Sequence, residues 1–149
     1  MKEIINFLKT LKSKTSQIIS PEVPYFVYFV MGNTSCDMDS FLSSIVYSYF
    51  KNLQTGIISH DKHESSEEIS YNLYDIANYI YIPIINCPKK ELFNRLDIAE
   101  LCIKSGLNPD DFFFYDEDFT YENDKLIFKP LVYPSELLNG KFIDDIIYL

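Results

Sequence analysis

Asp37 and Asp39, two carboxylates separated by one residue, have the clearest capacity for chemistry in this sequence. They lie at the end of a polar loop that begins at Gly32. Carboxylates at positions i and i+2 of a tight loop can converge as hard oxygen ligands for Mg²⁺ or Mn²⁺. A plainer interpretation is that Asp39 only caps the following helix while Asp37 is a turn residue. Spacing alone leaves both interpretations open.

Strands and helices must position this loop. A continuous apolar run over Tyr25–Met31 predicts a strand buried on both faces. Apolar residues on i, i+4 rows predict a helix over Asp39–Lys51, with Asp39 or Ser40 as its N-cap. Other predicted elements are an amphipathic helix over Lys2–Ser16, a strand over Tyr79–Asn86, a helix over Glu91–Ser105 ended by Gly106, a short strand over Asp111–Tyr115, a hairpin over Thr120–Phe128 and a last strand over Phe142–Leu149. Pro83 restricts the second strand to an edge position or an irregular end.

The alternation of strand and helix predicts an α/β fold with a doubly wound, mostly parallel sheet. In such sheets ligands bind at the carboxyl ends of the strands, which is where the loop after Met31 lies. We expect two segments, an amphipathic helix in residues 1–20 and an α/β domain in residues 21–149.

Composition excludes several classes of partner. The 149 residues carry a net charge of −9, the wrong sign for neutralising phosphates, so we expect no nucleic-acid partner. The longest apolar run is far shorter than the ~18 residues of a membrane span. Three cysteines without a CxxC pair favour a reducing, cytoplasmic location. Mitochondrial targeting by the first helix is a minor alternative, because that helix lacks Arg and contains Glu3.

Two stretches resemble one family. The run GNTSCDMDSFLSSIVYSY, from Gly32 to Tyr49, resembles the first motif of the DHH phosphoesterase superfamily, most closely its exopolyphosphatase and prune-type branch, with the pattern G-N-x-S-x-D-M-D-S. The stretch from Pro83 to Asp97 is similar to that branch's P-I-I-x-I-P-R-x-D-L-x-L-R-x-D segment. The resemblance covers most of the chain. It departs at Lys89, where the family favours Arg, and at Asn94, where the family favours Leu.

The resemblance implies the amino-terminal part of a DHH domain that hydrolyses terminal phosphoanhydride bonds of inorganic polyphosphate. Two divalent ions, Mg²⁺ or Mn²⁺, would acidify a bridging water and neutralise charge on the phosphoryl oxygens. By resemblance, Asp37 and Asp39 are the catalytic residues and each holds one metal. Asn33 and Ser35 would contact the substrate. Asn33 stands where other branches have a metal-binding His, and its amide is better suited to hydrogen bonding.

The roles of two further side chains, Arg95 and Cys36, are also considered. Arg95, the only arginine, occurs at a matching family position, and an ion pair with Asp97 is slightly favoured over a contact with phosphate. Cys36 lies beside the carboxylates, whose charge would raise its pKa and make it a poor nucleophile. We interpret Cys36 as a packing residue of the loop.

The family completes its site with residues absent from this sequence: a further Asp, the D-H-H signature and a second domain. The sequence ends at Leu149, immediately after the strand expected to deliver that Asp. The resemblance thus implies half a site, weak or inactive alone, which a missing carboxy-terminal half or a split partner would complete. Two alternatives stay open. One is a haloacid-dehalogenase-like phosphatase with a nucleophilic Asp in D-x-D, although five residues separate the strand from Asp37. The other is a non-catalytic remnant or interaction module.

Overall fold

The structure, a computed structural model, describes residues 1–18, 25–55, 78–122, 125–129 and 146–149. The predicted boundary at residues 20 and 21, and residues 142–145 of the predicted last strand, lie outside this description. The helices are α1 (Lys2–Ile18), α2 (Met38–Gln54), α3 (Lys89–Leu92), α4 (Leu96–Ser105) and α5 (Tyr115–Asp118), with a 3₁₀ turn at Pro109–Asp111. The strands are β1 (Tyr25–Met31), β2 (Asn78–Ile85), β3 (Phe113–Phe114), β4 (Phe119–Glu122), β5 (Lys125–Phe128) and β6 (Ile146–Tyr148).

A four-stranded, all-parallel sheet with strand order β3-β2-β1-β6 forms the centre of the fold. Met31 at the end of β1 pairs with Ile84 on β2 and with Tyr148 on β6. Helices flank this sheet, so the predicted α/β fold with a doubly wound, mostly parallel sheet is confirmed. Because the strands are parallel, the segments after β1 and β2 emerge at the same edge of the sheet.

The two faces of β1 are covered by different layers, as its unbroken apolar sequence requires. On one face Tyr28 stacks on Tyr81, and Tyr81 contacts the Tyr47 ring of α2. On the other face Phe29 packs edge-on against Phe128 of the β4–β5 hairpin, with ring centroids 4.9 Å apart. Full burial of a phenylalanine contributes about 1.5–3 kcal/mol, so these contacts fix which way β1 faces.

Helix α1 joins these two layers. Phe7 meets Tyr49 of α2 edge-on at 5.6 Å. Further along the helix, Lys12 Nζ lies 2.9 Å from Asp118 Oδ1 and 4.2 Å from the centre of the Phe113 ring. The buried side of α1 therefore packs in the core, as predicted for an amphipathic helix; its buried residues are Phe7, Leu8 and Leu11.

Strand β2 lies between β1 and β3 in the sheet, so it is not an edge strand. Of the two positions predicted from Pro83, the edge position is therefore wrong. The local chemistry explains why the proline is tolerated. Among the described residues, β3 pairs only with Ile84 and Ile85. At Tyr81 the Asn52 side-chain amide stands in for a neighbouring strand, because it accepts from Tyr81 N at 3.1 Å and donates to Tyr81 O at 2.7 Å. Alternate residues of a strand direct their backbone N–H to the same side, so the nitrogen of Pro83 faces the same side as that of Tyr81. Among the described residues no strand needs an N–H from residue 83 there, so the proline is tolerated.

The helix predicted over Glu91–Ser105 is two helices, α3 and α4. The chain is extended at Arg95, which has φ −88° and ψ 91°. Leu92 and Ile98 are both buried, yet in one continuous helix they would lie roughly 120° apart around the axis. The break at Arg95 lets both side chains face the core, which a single helix over Glu91–Ser105 would not allow.

The remaining predictions are close to the structure. Gly106 ends α4 with φ 71°, the left-handed conformation that favours glycine. Strands β4 and β5 form the predicted hairpin, with Phe119 opposite Phe128. The strand predicted over Asp111–Tyr115 is reduced to β3. Within the described ranges, no helix combines the length and apolar composition that crossing a membrane needs.

Candidate functional site

The loop between β1 and α2 lies tightly against the first turn of α2. A Cβ atom on Gly32 would come within 2.6 Å of Ser40 Cβ and 2.8 Å of Ser40 O, so only glycine fits there. Asn86, the residue after β2, donates from Nδ2 to Gly32 O at 2.9 Å. The start of the loop is therefore held by both α2 and the carboxyl end of β2.

Asn33 organises the loop from within. Its side-chain Oδ1 accepts from the Ser35 hydroxyl at 2.5 Å and from Cys36 N at 3.1 Å. Cys36 N also lies 3.1 Å from Asn33 O, which closes a turn. Cys36 then takes φ 47°, a conformation that non-glycine residues adopt rarely. Since the Asn33 oxygen is used by the loop, the amide nitrogen is the part of Asn33 suited to a substrate contact.

Asp37 is the N-cap of α2, so the prediction that Asp39 or Ser40 caps this helix is wrong. Asp37 is extended at ψ 172°, and its Oδ1 accepts from Ser40 N at 3.0 Å. Its Oδ2 lies 3.4 Å from the Ser35 hydroxyl. The hydrogen bond from the Ser40 amide, aided by the Ser40 hydroxyl, lowers the pKa of Asp37. Asp37 is therefore ionised at neutral pH and exposed to solvent.

Asp39 follows in the first turn of α2 and is also exposed. The loop thus presents two carboxylates at the edge of the sheet where β1 and β2 end. Hard cations such as Mg²⁺ take oxygen ligands and usually keep several waters, so two carboxylates fit part of such a ligand set. No group of three or more His, Cys, Asp or Glu side chains that could hold a metal ion occurs within the described residues.

Two thiols meet beside this loop. Cys36 is 2% exposed, in agreement with a packing role. The interaction with the neighbouring Cys87 thiol, together with the nearby Arg95 charge, lowers the pKa of Cys36 despite burial and the Asp37 charge. The same interaction, with burial, raises the pKa of Cys87. Asp37 does act to raise the pKa of Cys36, as predicted, but the predicted net rise is wrong because the Cys87 interaction has the larger effect.

A cleft of about 280 Å³ opens next to the loop, between it and the α3–α4 turn. Its lining residues are Thr34, Ser35, Cys87, Pro88, Glu91, Asn94 and Arg95. Arg95 is half-buried, and no ion pair joins it to Asp97 or to another carboxylate of the described residues. The predicted Arg95–Asp97 ion pair is therefore wrong. The extended backbone at Arg95 places this residue in the wall of the cleft.

Lys89 has a different environment from that of Arg95. Its Nζ lies 3.1 Å from Asp110 Oδ1 and 3.3 Å from Glu117 Oε2. The hydrogen bond to Asp110, followed by that to Glu117, raises the pKa of Lys89. Asp110 and Glu117 thus neutralise the charge of Lys89, whereas no described carboxylate neutralises that of Arg95.

The four predicted site residues lie in one short segment: Asn33, Ser35 and Asp37 in the loop and Asp39 in the first turn of α2. Sequence reasoning missed the contributions of Asn86 and Cys87, although the strand predicted over Tyr79–Asn86 ends at this pair of residues. Asp37 follows β1 only after five intervening residues and caps a helix, which differs from a nucleophilic Asp at a strand end. No protein-family model matches the sequence.

Proposed function

We propose that this chain is the amino-terminal, metal-binding part of an exopolyphosphatase-like phosphoesterase. It would hydrolyse terminal phosphoanhydride bonds of inorganic polyphosphate with Mg²⁺ or Mn²⁺. The observation that carries the proposal is the pair of exposed carboxylates, Asp37 and Asp39, on a loop fixed at the carboxyl ends of two parallel strands. The resemblance of that loop to the DHH motif supports the same function.

The residues of the loop have distinct tasks in this proposal. Asp37 and Asp39 supply oxygen ligands to the cations, which would acidify a bound water and neutralise charge on the phosphoryl oxygens. The Ser40 amide keeps Asp37 ionised and oriented. The Asn33 amide nitrogen would donate a hydrogen bond to the substrate, and Ser35 would contact the substrate once its hydroxyl proton turns away from Asn33 Oδ1. Further metal ligands would come from a second segment or a partner chain, so we expect slow turnover.

Charge and thiol chemistry support the expected partner and compartment. A net charge of −9 opposes binding to a nucleic-acid backbone, whereas a short polyanion can be held by cations at one site. The three cysteines are free thiols, which suits a reducing cytoplasm.

The test is phosphate release from tripolyphosphate by the purified 149-residue chain with Mn²⁺, followed by phosphorus NMR. Wild type should release phosphate slowly, and D37N or D39N should abolish release. D97N is the matched control, because Asp97 occupies the first turn of α4 as Asp39 does that of α2. Release that survives both substitutions contradicts the proposed function, as does a wild type that neither releases phosphate nor binds Mn²⁺ more tightly than D37N and D39N do. Sustained turnover near the ~10 s⁻¹ typical of enzymes contradicts the half-site interpretation.

A non-catalytic interaction module is the second candidate. The N-cap role of Asp37 favours it, because capping alone would account for a carboxylate at this position. Binding of Mn²⁺ separates the candidates, since a module without chemistry has no need of a cation at the loop. The haloacid-dehalogenase-like alternative predicts a phosphoaspartate or an aluminium fluoride adduct on Asp37, which mass spectrometry and fluorine NMR would detect.

A further inference from the structure

The cleft beside the loop contains a cation that is not neutralised by its described neighbours. Lys12 pairs with Asp118, Lys89 with Asp110 and Glu117, and Lys104 with Glu100. Arg95 has no such partner in the part of the chain that the structure describes, and it is half-buried. A guanidinium without a carboxylate partner among the described residues can make a planar, two-point contact with a phosphate.

The other walls of the cleft suit a small anion. Thr34, Ser35 and Asn94 contribute hydroxyl and amide groups. The volume of about 280 Å³ is at the lower limit of small-molecule sites, which usually run from about 300 to 1,000 Å³. None of the seven lining residues is aromatic, so the cleft offers no ring on which a nucleobase would stack. Glu91 is the one acid in the lining, and its charge opposes anion binding.

Ser35 connects the cleft to the carboxylates. Its side chain lines the cleft, and its hydroxyl lies 3.4 Å from Asp37 Oδ2. The cleft therefore adjoins the carboxylate pair, so a linear polyphosphate whose terminal phosphate lies at the carboxylates can place its next phosphates in the cleft.

We propose that Arg95 is a substrate-binding residue that holds the inner phosphates of a linear chain in this cleft, and that it favours chains of three or more phosphates over orthophosphate. The inference rests on the proposed phosphoanhydride hydrolase function. It adds a specificity residue outside the loop of Asn33, Ser35, Asp37 and Asp39.

The test measures anion binding without any divalent cation. The parent is the 149-residue chain with D37N and D39N, in EDTA, which removes both the metal ligands and their repulsion of anions. Asparagine is also a good N-cap, so α2 should persist. Tripolyphosphate is titrated by calorimetry into the parent and into the parent carrying R95Q, R95K, E91Q or K89Q, with circular dichroism to verify folding.

R95Q should weaken tripolyphosphate binding about tenfold or more, the loss expected for a charge-assisted contact. R95K should restore part of the affinity, since it keeps the charge and loses the two-point geometry. E91Q should strengthen binding. K89Q is the control for a cation that is already paired, and it should change the affinity less than about twofold. Orthophosphate should bind more weakly than tripolyphosphate, and ATP no more tightly.

The inference is overturned if the parent binds no tripolyphosphate, if R95Q binds like the parent, or if K89Q weakens binding as much as R95Q does. Tighter binding of ATP than of tripolyphosphate would identify a nucleotide site and overturn it as well. These outcomes are independent of Mn²⁺, so they are distinct from failure of the proposed function, which would appear as unchanged Mn²⁺ binding in D37N and D39N.

Discussion

Asp37 Oδ1 accepts a hydrogen bond from Ser40 N at 3.0 Å, so the residue proposed to bind metal is also the N-cap of α2. The two roles require different properties of one side chain. Capping needs an oxygen acceptor, whereas metal binding needs a negative charge. Asparagine keeps the acceptor and removes the charge, while alanine removes both, so the two substitutions separate the roles.

In the absence of metal, D37N should melt slightly below the wild-type temperature and D37A clearly below D37N, because only alanine removes the acceptor for the Ser40 amide. Thermal unfolding followed by circular dichroism measures this. D39A is the control, and its melting temperature should stay near that of wild type, since Asp39 does not cap the helix. Equal melting temperatures for D37N and D37A would show that the cap contributes nothing.

The stability that Asp37 contributes should depend on pH. The Ser40 hydrogen bonds lower its pKa in the folded state below the unfolded value of about 3.9. A lowered folded-state pKa means that the contribution is present above the unfolded pKa and is lost as the pH falls through the folded pKa. The difference in melting temperature between wild type and D37N should therefore shrink as the pH falls below the unfolded-state pKa of about 3.9 and through the lower folded-state pKa. A difference that grows on acidification would have the wrong sign.

Gly32→Ala should destabilise the protein by about 1–3 kcal/mol, because the new Cβ overlaps Ser40 backbone and side-chain atoms. It should also weaken Mn²⁺ binding by moving the loop away from α2. Urea unfolding and Mn²⁺ titration measure the two effects.

Gly106→Ala is the matched control for Gly32→Ala. Gly106 has positive φ but open space around it, with Ile5 Cδ1 at 3.9 Å as the nearest atom. Its substitution should cost about 1–2 kcal/mol through backbone conformation and leave Mn²⁺ binding unchanged. Equal effects of both substitutions on Mn²⁺ binding would contradict a specific role for the Gly32–Ser40 contact.

Asn52→Ala should lower the free energy of unfolding by about 1–3 kcal/mol, because Tyr81 N and Tyr81 O lose their hydrogen-bond partner. Ser48→Ala, one turn earlier in α2, is the control. The Ser48 hydroxyl is buried and has no hydrogen-bond partner among the described residues, so its removal should be neutral or stabilising. Similar losses for both variants in urea unfolding would show that Asn52 acts only through packing.

The central strand and its loop were predictable because few structures accept their sequence. Seven consecutive apolar residues at Tyr25–Met31 suit a strand covered on both faces, and Gly32 suits a close approach of the chain. The predicted sheet edge then brings Asp37 and Asp39 to the carboxyl end of that strand. The metal-binding role of these two residues is still a prediction.

Other features depend on tertiary contacts that local patterns do not encode. Asp37 and Asp39 are equally good N-caps by residue type, so the sequence does not distinguish them. In the structure α2 begins after Asp37, and Ser40 in its first turn packs against Gly32. The break at Arg95 arises because two buried residues on either side must reach one core. Asn52 has no signal in the helix sequence, because its role depends on Tyr81 having β1 on one side and, among the described residues, no strand on the other.

The central claim, that the loop at residues 32–39 is a divalent-cation site, is tested most directly by titrating the 149-residue chain with Mn²⁺ and following free Mn²⁺ by electron paramagnetic resonance. Wild type and D97N should bind Mn²⁺ equally, and D37N and D39N should each weaken binding about tenfold or more, since each removes a charged ligand. Equal Mn²⁺ affinity in wild type, D37N and D39N would contradict the claim.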